Sequence, residues 1–536
     1  MREVARSCLA LLLLAAAPLG ARAAPPNILL LFPDQWRHDF LPAPLSAQAP
    51  ALRMPTLLSL AARGTRFTHA TVPSPLCAPS RACLASGREY DEAGVPDNFS
   101  RDYPLNETTF YTLLRGAGYT VMTSGKDDLT KSTGPGASGD FHAAALGFSA
   151  WARAAGKQDV VNRGTPFEPY GLWAANQSLL VHGANTSYFS LLKSAVADAC
   201  QAAAGAPAGY ACAGATPLPQ AGYEDDWVTA NALALLAAAP VAAPWFLHVS
   251  FPGPHPPFVC TAAMLNATAH DDYPPAVNNS GTAPAAQAAA RRAYAAELEH
   301  LDALFAQLLA AVDARGERGE TLVIVASDHG EMLGDLEDWG KTMPWQGSAS
   351  VPLLFVGLGV PAGAALAAPV ATLDIAGTVL DYAGVAPAAG MTTRSLRGAL
   401  AGGAPPRNHV SSGLAAWRSV LQTPPANASA IFKLVCCRGA CPGGDGSAPY
   451  VGGDARDYAG LLPAGARVYA PESGAAGGGA ATDTVKLFEV VSDPFDLYDV
   501  AAAHPDAVAR MRALLPAGWC AAAAGAAEPP PPPLKR

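Results

Sequence analysis

Three short apolar runs in this chain stop abruptly at residues built for chemistry. Ile28–Phe32 ends at Pro33-Asp34, Trp245–Ser250 runs into a proline-rich loop at 251–258, and Leu322–Ala326 ends at Ser327-Asp328-His329-Gly330. Each run is too short for an ordinary helix and is bounded by loop formers, so each reads as a strand buried on both faces. Helical patterning lies between them, at 104–117, 225–239 and 287–312. Strands alternating with helices predict an α/β fold, a mainly parallel sheet sandwiched by helices. In such sheets ligands bind beyond the carboxyl ends of the strands. These Asp and His residues fall there.

A second region begins near residue 405. Residues 437–483 are rich in Gly, Ala and Pro and read as loop, whereas Lys486–Val491 and Asp493–Asp499 suggest a strand and a following turn. The expected organisation is a catalytic α/β domain over 24–404, a small C-terminal α+β subdomain over 405–525, and a stiff proline-rich tail at 526–536. Half of the 536 residues are hydrophobic, enough for a large core. The net charge of −9 and the lack of a long basic run argue against nucleic acid and anionic membrane surfaces as partners.

Residues 1–23 have the pattern of a secretory leader: Arg2 and Arg6, the apolar stretch Cys8–Pro18, then Ala21-Arg22-Ala23 as a small-x-small cleavage site. That stretch is too short to span a bilayer, and no later one is long and apolar enough. Asn98, Asn106, Asn176, Asn185, Asn266, Asn278 and Asn427 each begin an Asn-x-Ser/Thr sequon, which predicts glycosylated surface loops. Cysteine usage points the same way. Ten cysteines less Cys8 leave nine, and setting Cys77 aside for chemistry leaves eight, enough for four disulfides in an oxidising compartment. Cys200 and Cys212 bracket a Gly/Ala/Pro loop and are the first expected pair. The expected location is the secretory pathway, ending outside the cell or in a lysosome-like compartment.

Cys77 has an unusual escort. Pro79 can open a helix, and Cys77 and Arg81, four apart, would share one face of it, with the helix N-terminus aimed at whatever Cys77 binds. That arrangement suits an anion. Cys77-Ala78-Pro79-Ser80-Arg81 followed by Ser86-Gly87-Arg88 resembles the signature of the sulfatases. The resemblance runs from the first strand at Asn27 to the closing "KLFEVVSDPFDLYDV".

The resemblance implies an alkaline-phosphatase-like fold and an enzyme that hydrolyses aryl or carbohydrate sulfate esters. In that family the cysteine becomes Cα-formylglycine, made by a formylglycine-generating enzyme that reads the Pro and the Arg. The hydrated aldehyde has two hydroxyls on one carbon. One attacks sulfur, and the other loses its proton to expel sulfate and restore the aldehyde. By the same resemblance Asp34 and Gln35 form the first metal-ligand pair and Asp328 and His329 the second, with residue 77 beside them. Oxygen-rich ligands on an exported protein favour Ca²⁺, with Mg²⁺ as the alternative.

Lys126, in "SGKDDL", and Lys341, in "EDWGKTMPWQGSASVPLLF", match sulfate-binding lysines; His255, in "FPGPHPPF", matches the histidine at the leaving-group oxygen; Arg81 would bind the aldehyde hydrate. The chain departs from the pattern at Asp128, where many relatives carry a histidine, and His142 is the candidate to replace it. The stretch "TTFYTLLRGAGYTVMTSGKDDLT" is most similar to arylsulfatase K-like members. Two other readings stay open: a phosphodiesterase or phosphonate monoester hydrolase of the same superfamily, and a catalytically silent glycan-binding relative.

Overall fold

The computed structural model describes residues 25–49, 51–98, 100–130, 142–157, 166, 168–202, 212–424, 430–439, 441 and 483–520. The leader at 1–23, the sequon at Asn427, most of the 437–483 loop and the tail at 526–536 lie outside them.

The central sheet has nine strands: β1 (Asn27–Leu31), β2 (Gly64–Thr71), β3 (Thr120–Gly125), β4 (Ala150–Arg153), β5 (Trp245–Ser250), β6 (Thr321–Ala326), β7 (Ser350–Val356), β8 (Ala364–Leu366) and β9 (Val370–Ala371). Their order is β8-β2-β7-β6-β1-β5-β3-β4, with β9 also paired to β2. Only β7 runs against its neighbours; the other pairings are parallel. The three apolar runs are thus β1, β5 and β6, side by side with β1 in the middle.

Strand geometry explains why they read as continuous apolar runs. Successive side chains point to opposite faces, and here both faces are core. Leu29 and Leu31 enter one cluster, which also holds Leu57 and Leu60 of α1 (Pro55–Arg63). Ile28, Leu30 and Phe32 enter the other. At roughly 1.5–3 kcal/mol for each fully buried large apolar side chain, those five contribute on the order of 10 kcal/mol gross. A carboxylate in place of Leu30 would be an unpaired charge between layers.

Helix α2 (Cys77–Ser86) packs Ala78, Ala82 and Ala85 on the second face, beside α3 (Phe110–Gly116). The first face is covered by α4 (Glu224–Ala238) and by the 31-residue α5 (Pro284–Ala314). α6 (Asp374–Ala383) completes the second. The expected helices at 225–239 and 287–312 are α4 and α5. The one expected over 104–117 is shorter, because Thr109 caps α3: its side chain accepts from the Thr112 N–H, and Thr112 bonds back. α2 begins two residues before Pro79, which is tolerated because first-turn N–H groups have no partner within the helix.

The C-terminal sheet is antiparallel throughout, in the order β10 (His409–Leu414), β11 (Trp417–Gln422), β12 (Phe432–Cys437), β13 (Thr484–Glu489). One face takes Ala507 and Met511 of α7 (Pro505–Arg512). The other packs on the central domain, where Trp417 Nε1 donates to the Thr342 carbonyl at 2.9 Å, next to Lys341.

Disulfides join Cys200 to Cys212, as expected, Cys436 to Cys520 and Cys437 to Cys441. The fourth is absent: Cys83 and Cys260 are free and buried, in the two clusters on opposite faces of the sheet. A disulfide needs Cα atoms within about 7 Å, which the intervening sheet prevents.

Candidate active site

The loops after four parallel strands converge with α2. β1 delivers Asp34 and Gln35, β3 delivers Lys126, β5 leads to His255, and β6 delivers Asp328 and His329, with Lys341 further along the same loop. α2 brings Cys77 and Arg81. All nine side chains are buried. The turn after β3 depends on Gly125: at φ +101°, a Cβ there would lie 1.9 Å from the Ser250 carbonyl oxygen. That close approach lets Lys126 N–H bond Ser250 O at 3.0 Å.

Three groups meet the sulfur of Cys77. Lys341 Nζ lies 3.0 Å away, His329 Nε2 3.2 Å and Lys126 Nζ 3.6 Å. Lys341 Nζ also donates to Gln35 Oε1 at 3.0 Å and to His255 Nε2 at 2.8 Å. Lys126 Nζ bridges Asp34 Oδ2 at 2.6 Å and Asp128 Oδ2 at 3.2 Å. Arg81 Nε donates to Asp328 Oδ2 at 2.9 Å, one Nη contacts Asp34 Oδ2 at 3.2 Å, and the other donates to Ser250 Oγ at 2.7 Å. Gln35 has φ +71°, unusual for a residue with a Cβ, and its N–H donates to Asp328 Oδ1 at 3.0 Å.

The charges explain the protonation. Burial would raise the Asp34 carboxyl, but Lys126, His255, Arg81 and His329 together hold it well below its usual range. Burial and Asp34 push the Cys77 thiol up; Lys126, Lys341 and His329 outweigh them and bring it from 9.0 to about 7. Burial would likewise lower Lys126, yet Asp128 and Asp34 lift it well above normal. Lys126 stands between Asp34 and Asp128, and Arg81 between Asp34 and Asp328, so each of these buried cations faces two acidic side chains.

A divalent cation fits these residues. Donor atoms of Asp34, Cys77, Asp328 and His329 all lie within 4.8 Å of one another. Asp34 Oδ1 is buried with no hydrogen bond, an acceptor with unused capacity. Carboxylate oxygens with the Gln35 amide oxygen suit a hard ion.

His142 stands half-buried, with φ +58°, at the start of the short helix Ala143–Leu146. The imidazole at Cys77 is that of His329.

Several supporting residues escaped the sequence reading. Asn98 Oδ1 accepts from the Ala78 N–H at 2.9 Å, capping α2 from 20 residues away. It is buried, so its sequon reads differently from those of Asn106, Asn176, Asn185, Asn266 and Asn278, which are exposed. Glu331 accepts from Gln35 Nε2 and from the Leu333 and Gly340 N–H groups, turning the Gln35 amide oxygen toward Lys341. Asp225 Oδ1, in the first turn of α4, accepts from the Gly253 N–H at 2.9 Å and holds the loop carrying His255. Glu331 was visible only as the acid two residues past His329. Asp225 looked like an ordinary first-turn helix acid.

A family model described as Sulfatase matches residues 26–385. Choline-sulfatase of Rhizobium meliloti (strain 1021) is 27% identical over 387 residues, covering 67% of this chain and 68% of the relative. Arylsulfatase K of Danio rerio is 26% identical over 391 residues, covering 69% and 67%. A solved structure in complex with its substrate, D-glucosamine-2-N,6-O-disulfate, superposes with a TM-score of 0.63 at 16% identity, covering 91% of this chain and 96% of the other.

Proposed function

The chain belongs to the sulfatase family, with its alkaline-phosphatase-like fold, and from that premise we propose how its own residues hydrolyse a sulfate ester. The observation that carries the reading is the setting of Cys77, with two ammonium groups and an imidazole at 3.0–3.6 Å from its sulfur and two carboxylates alongside. Asp34, Gln35, Asp328 and His329 would hold Ca²⁺ or Mg²⁺ beside residue 77, and the ion would supply charge neutralisation for the sulfate oxygens. Converted to formylglycine, residue 77 would supply a carbon with two hydroxyls, one to attack sulfur and one to expel sulfate.

Lys126 and Lys341 bind the sulfate oxygens, and their charge counts for more as the transition state gathers negative charge in a site this dry. Arg81, fixed by Asp34 and Asp328, would hold the hydroxyls of residue 77 at the N-terminus of α2. His255 Nδ1 faces the Pro256 carbonyl, leaving Nε2 toward Lys341. A proton shared by Lys341 Nζ and His255 Nε2 is therefore placed for the departing alkoxide. The family's Cys77 chemistry requires a formylglycine-generating enzyme during maturation. The exposed sequons, three disulfides and leader-like start support passage through the secretory pathway. The substrate class is an aryl or carbohydrate sulfate, supported by the arylsulfatase K relative and by the solved neighbour whose bound substrate is a sulfated glucosamine.

Turnover of 4-nitrophenyl sulfate and 4-nitrophenyl phosphate by the purified protein, with and without chelator, tests the reading. Sulfate turnover that chelator abolishes supports it. Preference for the phosphate ester would install the phosphoesterase reading, and binding of sulfated glycan without turnover would make the chain a binding protein.

A further inference from the structure

Away from the catalytic residues, a cavity of about 360 Å³ lies where loop 38–48, α1, strands β2 and β7 and the start of the C-terminal turn at 490–494 meet. None of the nine catalytic side chains lines it. Its volume falls within the range of small-molecule sites, and its walls are mainly apolar, from Leu41, Leu45, Leu57, Leu354 and Val491.

The polar groups in those walls are unevenly committed. Asp39 is bound by Arg37 through both carboxylate oxygens, at 2.5 and 2.9 Å. Asp496, next to the lining residue Pro494, pairs with buried Lys433 and also accepts from the Gln346 N–H at 2.8 Å. Arg66 differs. It projects from β2 onto the face that carries Leu354, is half-buried, and has no hydrogen bond or ion pair among the described residues. His38 also lines the cavity, with its Nδ1 turned into the protein interior. A cavity with one uncommitted guanidinium and aliphatic walls has the chemistry to take a small molecule with an anionic head and an apolar body. A guanidinium matches carboxylate or sulfate geometry through paired N–H donors.

We propose that this cavity is a second ligand site, separate from the sulfatase centre, for an amphipathic organic monoanion whose head is held by Arg66 and whose body lies against Leu41, Leu45 and Leu57. Because β2 ends in the segment that leads to α2, and loop 38–48 begins just beyond Gln35, a ligand here touches elements that also carry the catalytic residues. The site is defined by binding, and its existence does not depend on the catalytic reading.

The probe is octanoate, titrated calorimetrically into the whole protein in buffer containing inorganic sulfate to occupy the catalytic centre. The expected result is saturable binding of one octanoate. Arg66→Gln should weaken it about tenfold to a hundredfold, the usual worth of a charge-assisted hydrogen bond, with aryl sulfatase activity and melting temperature unchanged. Ala61→Trp, which fills the cavity from α1, should abolish binding, and octylammonium should not bind. The proposal is overturned if octanoate shows no saturable binding, if Arg66→Gln binds it as well as the parent, or if octylammonium binds equally.

Discussion

Lys341 and Lys126 both contact the sulfur of Cys77, yet the structure predicts different consequences for removing them. Lys341 Nζ has neutral neighbours in Gln35 Oε1 and His255 Nε2, whereas Lys126 Nζ is the cation shared by Asp34 and Asp128. Lys341→Met therefore leaves Asp34 and Asp128 with their Lys126 partner and removes an ammonium whose burial is itself costly. Its fold stability should stay within about 1 kcal/mol of the parent. Its activity should fall, because a charge-assisted contact to the transferring sulfate is worth about 1.5–3 kcal/mol, or roughly tenfold to 150-fold in kcat/KM. Lys126→Met should lose as much activity and also cost on the order of 3 kcal/mol of stability, since two buried carboxylates lose their common partner. Steady-state kinetics on an aryl sulfate, paired with urea unfolding of both variants, reads the two effects separately. Equal stability losses in the two variants, or parent-like kinetics in Lys341→Met, would show that the two lysines do not differ in this way.

Three further outcomes are expected. Asp225→Ala should lower kcat by roughly tenfold through a slackened His255 loop, the worth of one buried hydrogen bond, while Asp225→Asn, which keeps an acceptor for the Gly253 N–H, should retain most of it; identical kinetics in the two variants would remove Asp225 from the loop's support. Burial raises the Asp338 carboxyl from 3.8 to about 7, against a partial opposing pull from Trp345. The folded protein holds that proton where the unfolded chain has lost it, so the contribution to stability is full below pH 4 and is lost as pH rises through 7, on the order of 2–4 kcal/mol. Asp338→Asn should flatten the fall in urea midpoint between pH 5 and pH 8, and an unchanged slope would contradict the assignment. Glycopeptide mapping should find Asn98 bare and glycans at some of Asn106, Asn176, Asn185, Asn266 and Asn278; a glycan on Asn98 in active protein would contradict the burial of its side chain.

The parts of the fold legible in the sequence are those where one residue pattern has one physical cause. β1, β5 and β6 are buried on both faces, so they appear as unbroken apolar runs, and their carboxyl ends locate Asp34, His255, Asp328 and His329. The reversed direction of β7 was not legible, because "VPLLF" is equally apolar read either way. Nor was the length of α3, set by the Thr109–Thr112 box within a run that looks helical back to Pro104. Cysteine counting found the Cys200–Cys212 bridge, which closes a short loop, but could not tell that a sheet separates Cys83 from Cys260. The site's supporting residues were hidden for a related reason. Asn98, Asp225 and Glu331 act on backbone or amide groups brought near by folding, and each had a commoner local explanation as a sequon, a first-turn acid or a loop acid.

The central claim is that residue 77 works as an aldehyde. Its most direct test is the mass of the peptide containing residue 77, from protein made with and without a formylglycine-generating enzyme, set beside the aryl sulfatase activity of each preparation. The active preparation should carry the mass of formylglycine and the inactive one that of unmodified cysteine, with activity proportional to the converted fraction. Multiple-turnover activity from protein whose residue 77 is a free thiol, or is joined in a disulfide, would contradict it.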